Sequence, residues 1–161
     1  MTLIVEDGSI VANANSYISI TNFTTYATAR TYTLVGSAEP LLIQAMDYLE
    51  NLMFKGTKRT STQALQWPRF DVYIDKYYFS STSIPQQLID AQCEIAIAID
   101  MGNGPLTDID VQTKREKVGP IEVEYASNAA PFVINRRINN KLRKLLEAGA
   151  MGGNVIGVGR G

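Results

Sequence analysis

One stretch near the middle of the chain, residues 83–102, limits the possible folds more than any other. Apolar residues recur there every three or four positions on both faces of the expected helix. Pro85 suits the first turn of that helix, with Ser83 or Ile84 as its cap, and Gly102 suits its end. A helix that is apolar on both faces needs other elements to cover it. We therefore expect the chain to fold around this helix.

Three further stretches predict helices that supply the cover, each with one apolar stripe. They run from a cap at Ser19 or Thr21 to about Arg30, from Ser37 to Gly56, and from Ala130-Pro131 to Gly149. Residues 114–125 instead alternate apolar and polar side chains, which predicts a β-hairpin or a bent ribbon. The expected fold class is mainly α: a small helical bundle of about four helices with a β-hairpin and extended N- and C-terminal arms.

The length of 161 residues is that of one domain, which we expect to span residues 1–148. Residues 149–161 hold six of the twelve glycines and cannot form a packed core of their own. They nevertheless contain Val155, Ile156 and Val158, which a solvated linker does not need. We interpret this segment, with Arg160, as a docking arm that adds to a partner's sheet edge or groove; ordinary terminal disorder is the alternative.

Histidine is absent, and Cys93 is the single cysteine. These two counts exclude histidine-based triads and bases, intramolecular disulfides and nearly every zinc site. Cys93 falls in the middle of the expected central helix, where a buried and inert thiol is the default. We expect no enzymatic activity, no cofactor and no metal. No signal peptide or membrane-spanning run of about 20 apolar residues is recognisable.

Charge is distributed unevenly along a chain whose net charge is −1. From Phe132 to Gly161 there are six cations and one anion, so this segment carries +5 and the remainder −6. A basic face that meets phosphates or an acidic partner would explain the asymmetry, and so would a solvated helix face. The residues that would form this face are Arg136, Arg137, Lys141, Arg143 and Lys144.

Aromatic residues crowd the stretch 55–82, which otherwise looks irregular. They follow the basic cluster Lys55, Lys58 and Arg59. A stacking platform for single-stranded nucleic acid would require these rings to be exposed. We favour core packing, with Trp67 as the anchor of a well-packed loop. The rings in question are those of Trp67, Tyr73, Tyr77 and Tyr78.

Several motifs together resemble one phage protein family over nearly the whole chain. They are Leu3–Gly8, Val11–Tyr17, Ala45–Leu49, Gln63–Arg69, Ile84-Pro85, Glu116–Tyr125 and Gly159–Gly161. The chain is similar in these motifs to the head–tail adaptors, or head-completion proteins, of tailed phages. Members of that family are often labelled DnaT-like single-stranded DNA-binding proteins.

The resemblance implies a structural virion protein at the bacteriophage neck, made in the host cytoplasm. It implies a homo-oligomeric ring, a dodecamer, that binds the portal protein and a tail or second adaptor protein. Such a ring extends the channel through which double-stranded DNA passes without sequence preference during ejection. The hairpin would then face a neighbour or the channel through Lys114, Arg115, Lys117, Glu122 and Glu124.

A different function remains open beside the adaptor. The basic and aromatic content and the family label fit a single-stranded DNA-binding protein of phage replication. The net charge of −1 argues against it, because phosphate contacts dominate DNA affinity. We therefore expect the adaptor, with DNA binding as the alternative.

Overall fold

The structure is a computed structural model that describes residues 2–105, 115–118, 121–124 and 136–147. Its helices are α1 (Ile20–Thr28), α2 (Ala38–Glu50), α3 (Gln86–Asp100) and α4 (Arg136–Leu142). Its strands are β1 (Thr57–Lys58), β2 (Arg69–Phe70), β3 (Tyr73–Ile74), β4 (Tyr77–Tyr78), β5 (Arg115–Val118) and β6 (Ile121–Glu124). They form three antiparallel pairs, β1–β2, β3–β4 and β5–β6. The expected class, a small fold dominated by helices, is confirmed.

Helix α3 lies at the centre and packs against α1, α2 and α4. Nine of its residues are buried, which agrees with its apolar pattern on both faces. Its N-cap is Pro85, so the helix begins one residue after the proline that we expected inside the first turn. Helix α1 begins at the expected cap, where the Ser19 side chain accepts from the backbone N–H of Asn22.

Polar side chains inside the core fix the N-terminal segment. Gln92 of α3 is fully buried; its amide donates to the Ser16 hydroxyl and accepts from the backbone N–H of Tyr17. The Glu6 carboxylate, also buried, accepts from three backbone N–H groups, those of residues 8, 10 and 11. Both groups are satisfied, so they hold the segment without an unpaired buried charge.

Two helices end earlier than their apolar patterns predict, for one shared reason. Helix α2 ends at Glu50 rather than at Gly56, and α4 ends at Leu142 rather than at Gly149. The residues that follow them pair with each other: Phe54 bridges Leu146, and the Lys55 N–H donates to the Leu145 carbonyl at 2.9 Å. This pairing between distant segments competes with continuation of either helix. The expected start of α4 at residues 130–131 lies outside the described residues.

Gly56 has a different role from the helix stop that we expected. Its φ is +73°, a left-handed conformation that favours glycine. A side chain would also collide with β2, because a Cβ at this position would lie 2.1 Å from the carbonyl oxygen of Phe70. The glycine therefore permits the close approach of β1 and β2.

Candidate nucleic-acid interface

Among the described residues, the most exposed aromatic side chains lie on the β3–β4 pair, residues 73–78, which we call the tyrosine hairpin. Tyr73, Tyr77 and Tyr78 are 57%, 79% and 56% exposed. The prediction that these rings pack in the core is therefore wrong. Large aromatic side chains are usually buried in a folded protein, so three exposed rings on one short hairpin form a candidate binding surface.

Register determines which ring faces which way. Tyr73 lies directly opposite Tyr78, and Ile74 lies opposite Tyr77. The first pair shares one face of the hairpin, with ring centroids 5.8 Å apart in an edge-to-face arrangement. Tyr77 lies on the other face. Each face of the hairpin thus offers an aromatic surface.

A tight turn holds the hairpin in shape. Asp75 and Lys76 connect the strands, and both have left-handed backbone conformations, with φ of 53° and 72°. Two successive left-handed residues make the turn type that matches the twist of a hairpin. The hydrogen bond from the Phe79 N–H to the Val72 carbonyl, 2.9 Å long, closes the base of the hairpin.

A buried aromatic cluster lies beneath the hairpin. The Trp67 ring is fully buried and contacts Phe54 and Phe79 edge to face, with centroids 6.1 Å and 5.9 Å away. The structure thus places Trp67 in the core. Its backbone N–H donates to the Tyr17 hydroxyl, whereas its indole N–H meets no acceptor among the described residues. The cluster joins the hairpin to the helical body.

Arg69 connects the chain segments around this cluster. Its guanidinium is buried and donates to the carbonyl oxygens of Phe54, Lys55 and Gly56 at 2.7–3.1 Å, and to the Gln66 side chain at 2.9 Å. Burial lowers the pKa of Arg69, which stays a cation because its ordinary pKa is so high. The residue therefore organises backbone and is not free to contact a ligand.

A fourth exposed ring lies at the start of this region. Phe70 of β2 is 42% exposed, and the Arg59 guanidinium lies above it, 6.0 Å from the ring centroid. Only two residues separate Phe70 from the tyrosine hairpin. Arg59 also donates to the Gly8 carbonyl at 3.0 Å, which fixes its position. The Phe70–Arg59 pair is thus a second exposed aromatic ring with its own cation, close to the tyrosine hairpin in sequence.

The basic segment that follows α4 meets the hairpin at its turn. The Lys144 ammonium lies 2.6 Å from the Asp75 carboxylate. Lys55 donates from its own ammonium to the Lys144 carbonyl at 2.9 Å. We give the name basic rim to four cations of this region, Lys58, Arg59, Lys76 and Lys144. The first two lie on or next to β1, which pairs with β2; Lys76 is in the hairpin turn, and Lys144 reaches that turn. Aromatic rings edged by cations are the usual composition of a single-stranded nucleic-acid site.

One comparison with known proteins decides the family. The model of a family described as "Putative DnaT-like ssDNA binding protein" matches residues 1–161. The chain belongs to this family. No curated protein and no solved structure gave a match.

Membership of the DnaT-like family overturns the adaptor reading. The family description names single-stranded DNA binding, which was our alternative hypothesis. Nothing found supports a connector or another structural protein of the virion. The expected partners are corrected with it: the portal, the tail protein, the dodecameric ring and the double-stranded DNA of a channel. The exposed tyrosines agree with this correction, because duplex DNA keeps its bases stacked and offers them no faces.

The remaining predicted residues of this DnaT-like chain fall in different places. Arg136 and Arg143 of the predicted basic face are exposed, as is Arg137, whereas Lys141 forms an ion pair with Asp90 at 2.6 Å.

The docking arm with Val155, Ile156, Val158 and Arg160 lies outside the described residues, as does Lys114. The backbone of the predicted hairpin is present as β5–β6, in which Arg115 is opposite Glu124 and Lys117 is opposite Glu122.

The part of the chain that the structure describes offers few side chains arranged for catalysis or metal binding. No group of three or more His, Cys, Asp or Glu side chains is arranged there to hold a metal ion. Cys93 is buried, and burial raises the pKa of its thiol to about 12, so the reactive thiolate is scarce at neutral pH. None of the described helices combines the length and apolar character needed to span a bilayer.

The sequence contained a signal for the tyrosine hairpin that we did not use. Two aromatic or aliphatic pairs, Tyr73-Ile74 and Tyr77-Tyr78, flank the two residues Asp75-Lys76. Two-residue loops are typical of hairpins. The signal is weak here because lysine stands where glycine is usual, so the segment looks like an irregular loop.

Proposed function

We propose that this protein binds single-stranded DNA through the tyrosine hairpin and the basic rim, and that it is not an enzyme. The observation that carries the proposal is the exposure of Tyr73, Tyr77 and Tyr78 on a hairpin anchored to the core. Family membership supports the same ligand.

Stacking explains why the ligand would be single-stranded. An unpaired base has free π-faces, and each base stacked on an aromatic ring contributes about 1–3 kcal/mol to binding. The hairpin offers Tyr73 and Tyr78 on one face and Tyr77 on the other. Phe70 adds a ring at the edge. Three or four rings suffice for useful affinity without base-specific hydrogen bonds, so the binding tolerates different sequences.

Charge plays the smaller part in this proposal, which reconciles it with a net charge of −1. The basic rim supplies four cations for backbone phosphates, and Asp71 and Asp75 partly offset them. Each phosphate neutralised on a single strand contributes about −0.7 to the slope of log K against log salt. Two to four such contacts give a slope of about −1.4 to −2.8, shallow for a DNA-binding protein.

Fluorescence anisotropy with labelled oligo(dT) of about ten nucleotides tests the proposal, since that length covers one binding site. The wild type should bind this probe and should prefer it over a duplex of the same length. The Y73A/Y77A/Y78A variant should lose at least ten-fold in affinity, which is about 1.4 kcal/mol. Its thermal stability should remain near that of the wild type because the three rings are exposed.

A matched control uses tyrosines elsewhere on the surface. Tyr26 and Tyr32 are half-buried, and their hydroxyls donate to Glu94 and Asp100. The Y26F/Y32F variant removes those hydrogen bonds and should bind oligo(dT) as the wild type does. Equal affinity of the wild type and the triple alanine variant, or a preference for duplex, would contradict the proposal.

A further inference from the structure

One contact in the candidate interface is unexpected for a site that binds a polyanion. The Asp75 carboxylate lies at the turn of the tyrosine hairpin, 2.6 Å from the ammonium of Lys144. A carboxylate repels the phosphates of a bound strand. This one nevertheless lies beside the exposed rings and forms an ion pair with Lys144, a cation of the basic rim.

The geometry points to Asp75 as an internal competitor for the DNA phosphate. We propose that the carboxylate holds Lys144 in the free protein and that a phosphate of the single strand replaces it on binding. This inference rests on the proposed function. Asp75 then sets the affinity of the site, since every strand that uses Lys144 must first displace it.

Solvent access permits such an exchange. The Lys144 side chain is 43% exposed and that of Asp75 60% exposed, so both can be rehydrated or contacted by a ligand. Exposed ion pairs of this kind are weak because water competes for both charges, so an incoming anion can replace the carboxylate. The neighbouring pair between Lys141 and Asp90 is equally short, but its side chains are 31% and 18% exposed. The pair at the hairpin is thus the more accessible of the two.

The position of Lys144 suits it for a phosphate that lies next to the tyrosine rings. Its carbonyl accepts from the Lys55 ammonium, and its neighbour Leu145 accepts from the Lys55 backbone N–H. These two hydrogen bonds from Lys55 hold residues 144 and 145 against the segment that leads into β1. The backbone of Lys144 is therefore fixed, and its ammonium extends to the hairpin turn. A phosphate between two stacked bases would find the cation in place once Asp75 moves away.

Asp71 provides a close control for Asp75. Both are exposed aspartates with left-handed backbones, at φ of 57° and 53°, and they are four residues apart. Asn is well tolerated in that conformation, so D71N and D75N are expected to fold. Each removes one negative charge near the rings, and only D75N releases Lys144.

The experiment measures binding of labelled oligo(dT) to full-length D75N, D71N and wild type. D75N should tighten the dissociation constant about three-fold more than D71N does, as expected when a surface ion pair no longer competes. The K144Q background removes the cation. There, D75N and D71N should tighten binding equally.

Three results would overturn the inference. They are equal gains from D75N and D71N in the wild-type background, weaker binding by D75N, or an extra gain from D75N that persists with K144Q. The last would mean that asparagine merely stiffens the turn. These outcomes leave the proposed function intact as long as the wild type binds and the triple tyrosine variant does not. If the wild type fails to bind oligo(dT), the proposed function and this inference both fail.

Discussion

Two sets of aromatic residues lie within one short stretch of this chain and have opposite surroundings. Phe54 and Phe79 contact the fully buried Trp67 ring edge to face, Phe54 from within the core and the partly buried Phe79 from its margin. Tyr73, Tyr77 and Tyr78 stand out from the body on the hairpin between them. The first set stabilises the fold, and we propose that the second binds the ligand. Similar residue types thus acquire different roles from backbone position alone.

Backbone geometry accounts for the difference. Phe79 is the residue after β4, where its N–H bonds Val72 and the hairpin returns to the body. The tyrosines lie beyond that bond, on a two-stranded ribbon that no third strand and no helix covers among the described residues. An isolated ribbon cannot bury its own side chains, so its rings stay exposed unless a partner supplies the other surface. The buried cluster thus fixes the base of the hairpin, and the hairpin holds the tyrosine rings in solvent.

Removing the anchor should have the largest effect of any single change in this region. W67A deletes a fully buried indole and leaves a cavity, so we expect a loss of about 3–5 kcal/mol in the free energy of unfolding. Y77A, an exposed ring, should change it by less than about 0.5 kcal/mol. Urea unfolding followed by far-UV circular dichroism measures both, because W67A also removes the only tryptophan fluorophore.

W67F sharpens this test. Phenylalanine retains an aromatic contact to its neighbours and removes an indole N–H that has no acceptor among the described residues. It should therefore cost less than W67A and should bind oligo(dT) like the wild type. Similar losses from W67A and Y77A would refute the division into a buried anchor and exposed rings.

Sequence patterns predicted much of the fold and little of the site. Helical periodicity located the four helices that the structure describes and identified α3 as central, because an apolar face must be covered whatever its partner is. The ends of α2 and α4 were missed because the pairing of Phe54 with Leu146 joins residues far apart in the chain. Periodicity carries no information about such long-range competition.

The candidate site was harder for a physical reason. A tyrosine is compatible with a core, an interface or a solvated ribbon, and its position along the chain does not choose among them. We named Tyr73, Tyr77 and Tyr78 and assigned them to the wrong environment. Lys144 was named as part of a basic face, but its contact with Asp75 links residues 69 positions apart. Only the folded chain reveals that the two features meet.

Arg69 offers a way to disturb both regions at once. Its guanidinium donates to the carbonyl oxygens of Phe54, Lys55 and Gly56. These residues include one ring of the buried cluster and lead directly into β1. R69M leaves those buried acceptors without their donor, so we expect a loss of about 2–3 kcal/mol in unfolding free energy. Binding of oligo(dT) should weaken as well, since the strands that carry the rings lose their support. Chemical denaturation and anisotropy on the same samples measure the two effects.

R69K is the matched control for this prediction. Lysine keeps the positive charge but cannot reproduce the planar fork that reaches several carbonyls at once. R69K should therefore lie nearer to R69M than to the wild type in stability. Full rescue by lysine would show that charge, and not hydrogen-bond geometry, is what the position requires.

The smallest expected effect concerns the contact between the exposed rings themselves. Tyr73 and Tyr78 lie directly opposite each other with centroids 5.8 Å apart, so they stabilise the hairpin as a cross-strand pair. A double-mutant cycle with Y73A, Y78A and the double variant should give a coupling of about 0.2–1 kcal/mol in unfolding free energy. In oligo(dT) binding the same cycle should show a larger coupling, because a base stacked on one ring is bordered by the other. Coupling in stability without coupling in binding would mean that the pair serves the hairpin only, and Tyr77 on the opposite face would then be the main stacking surface.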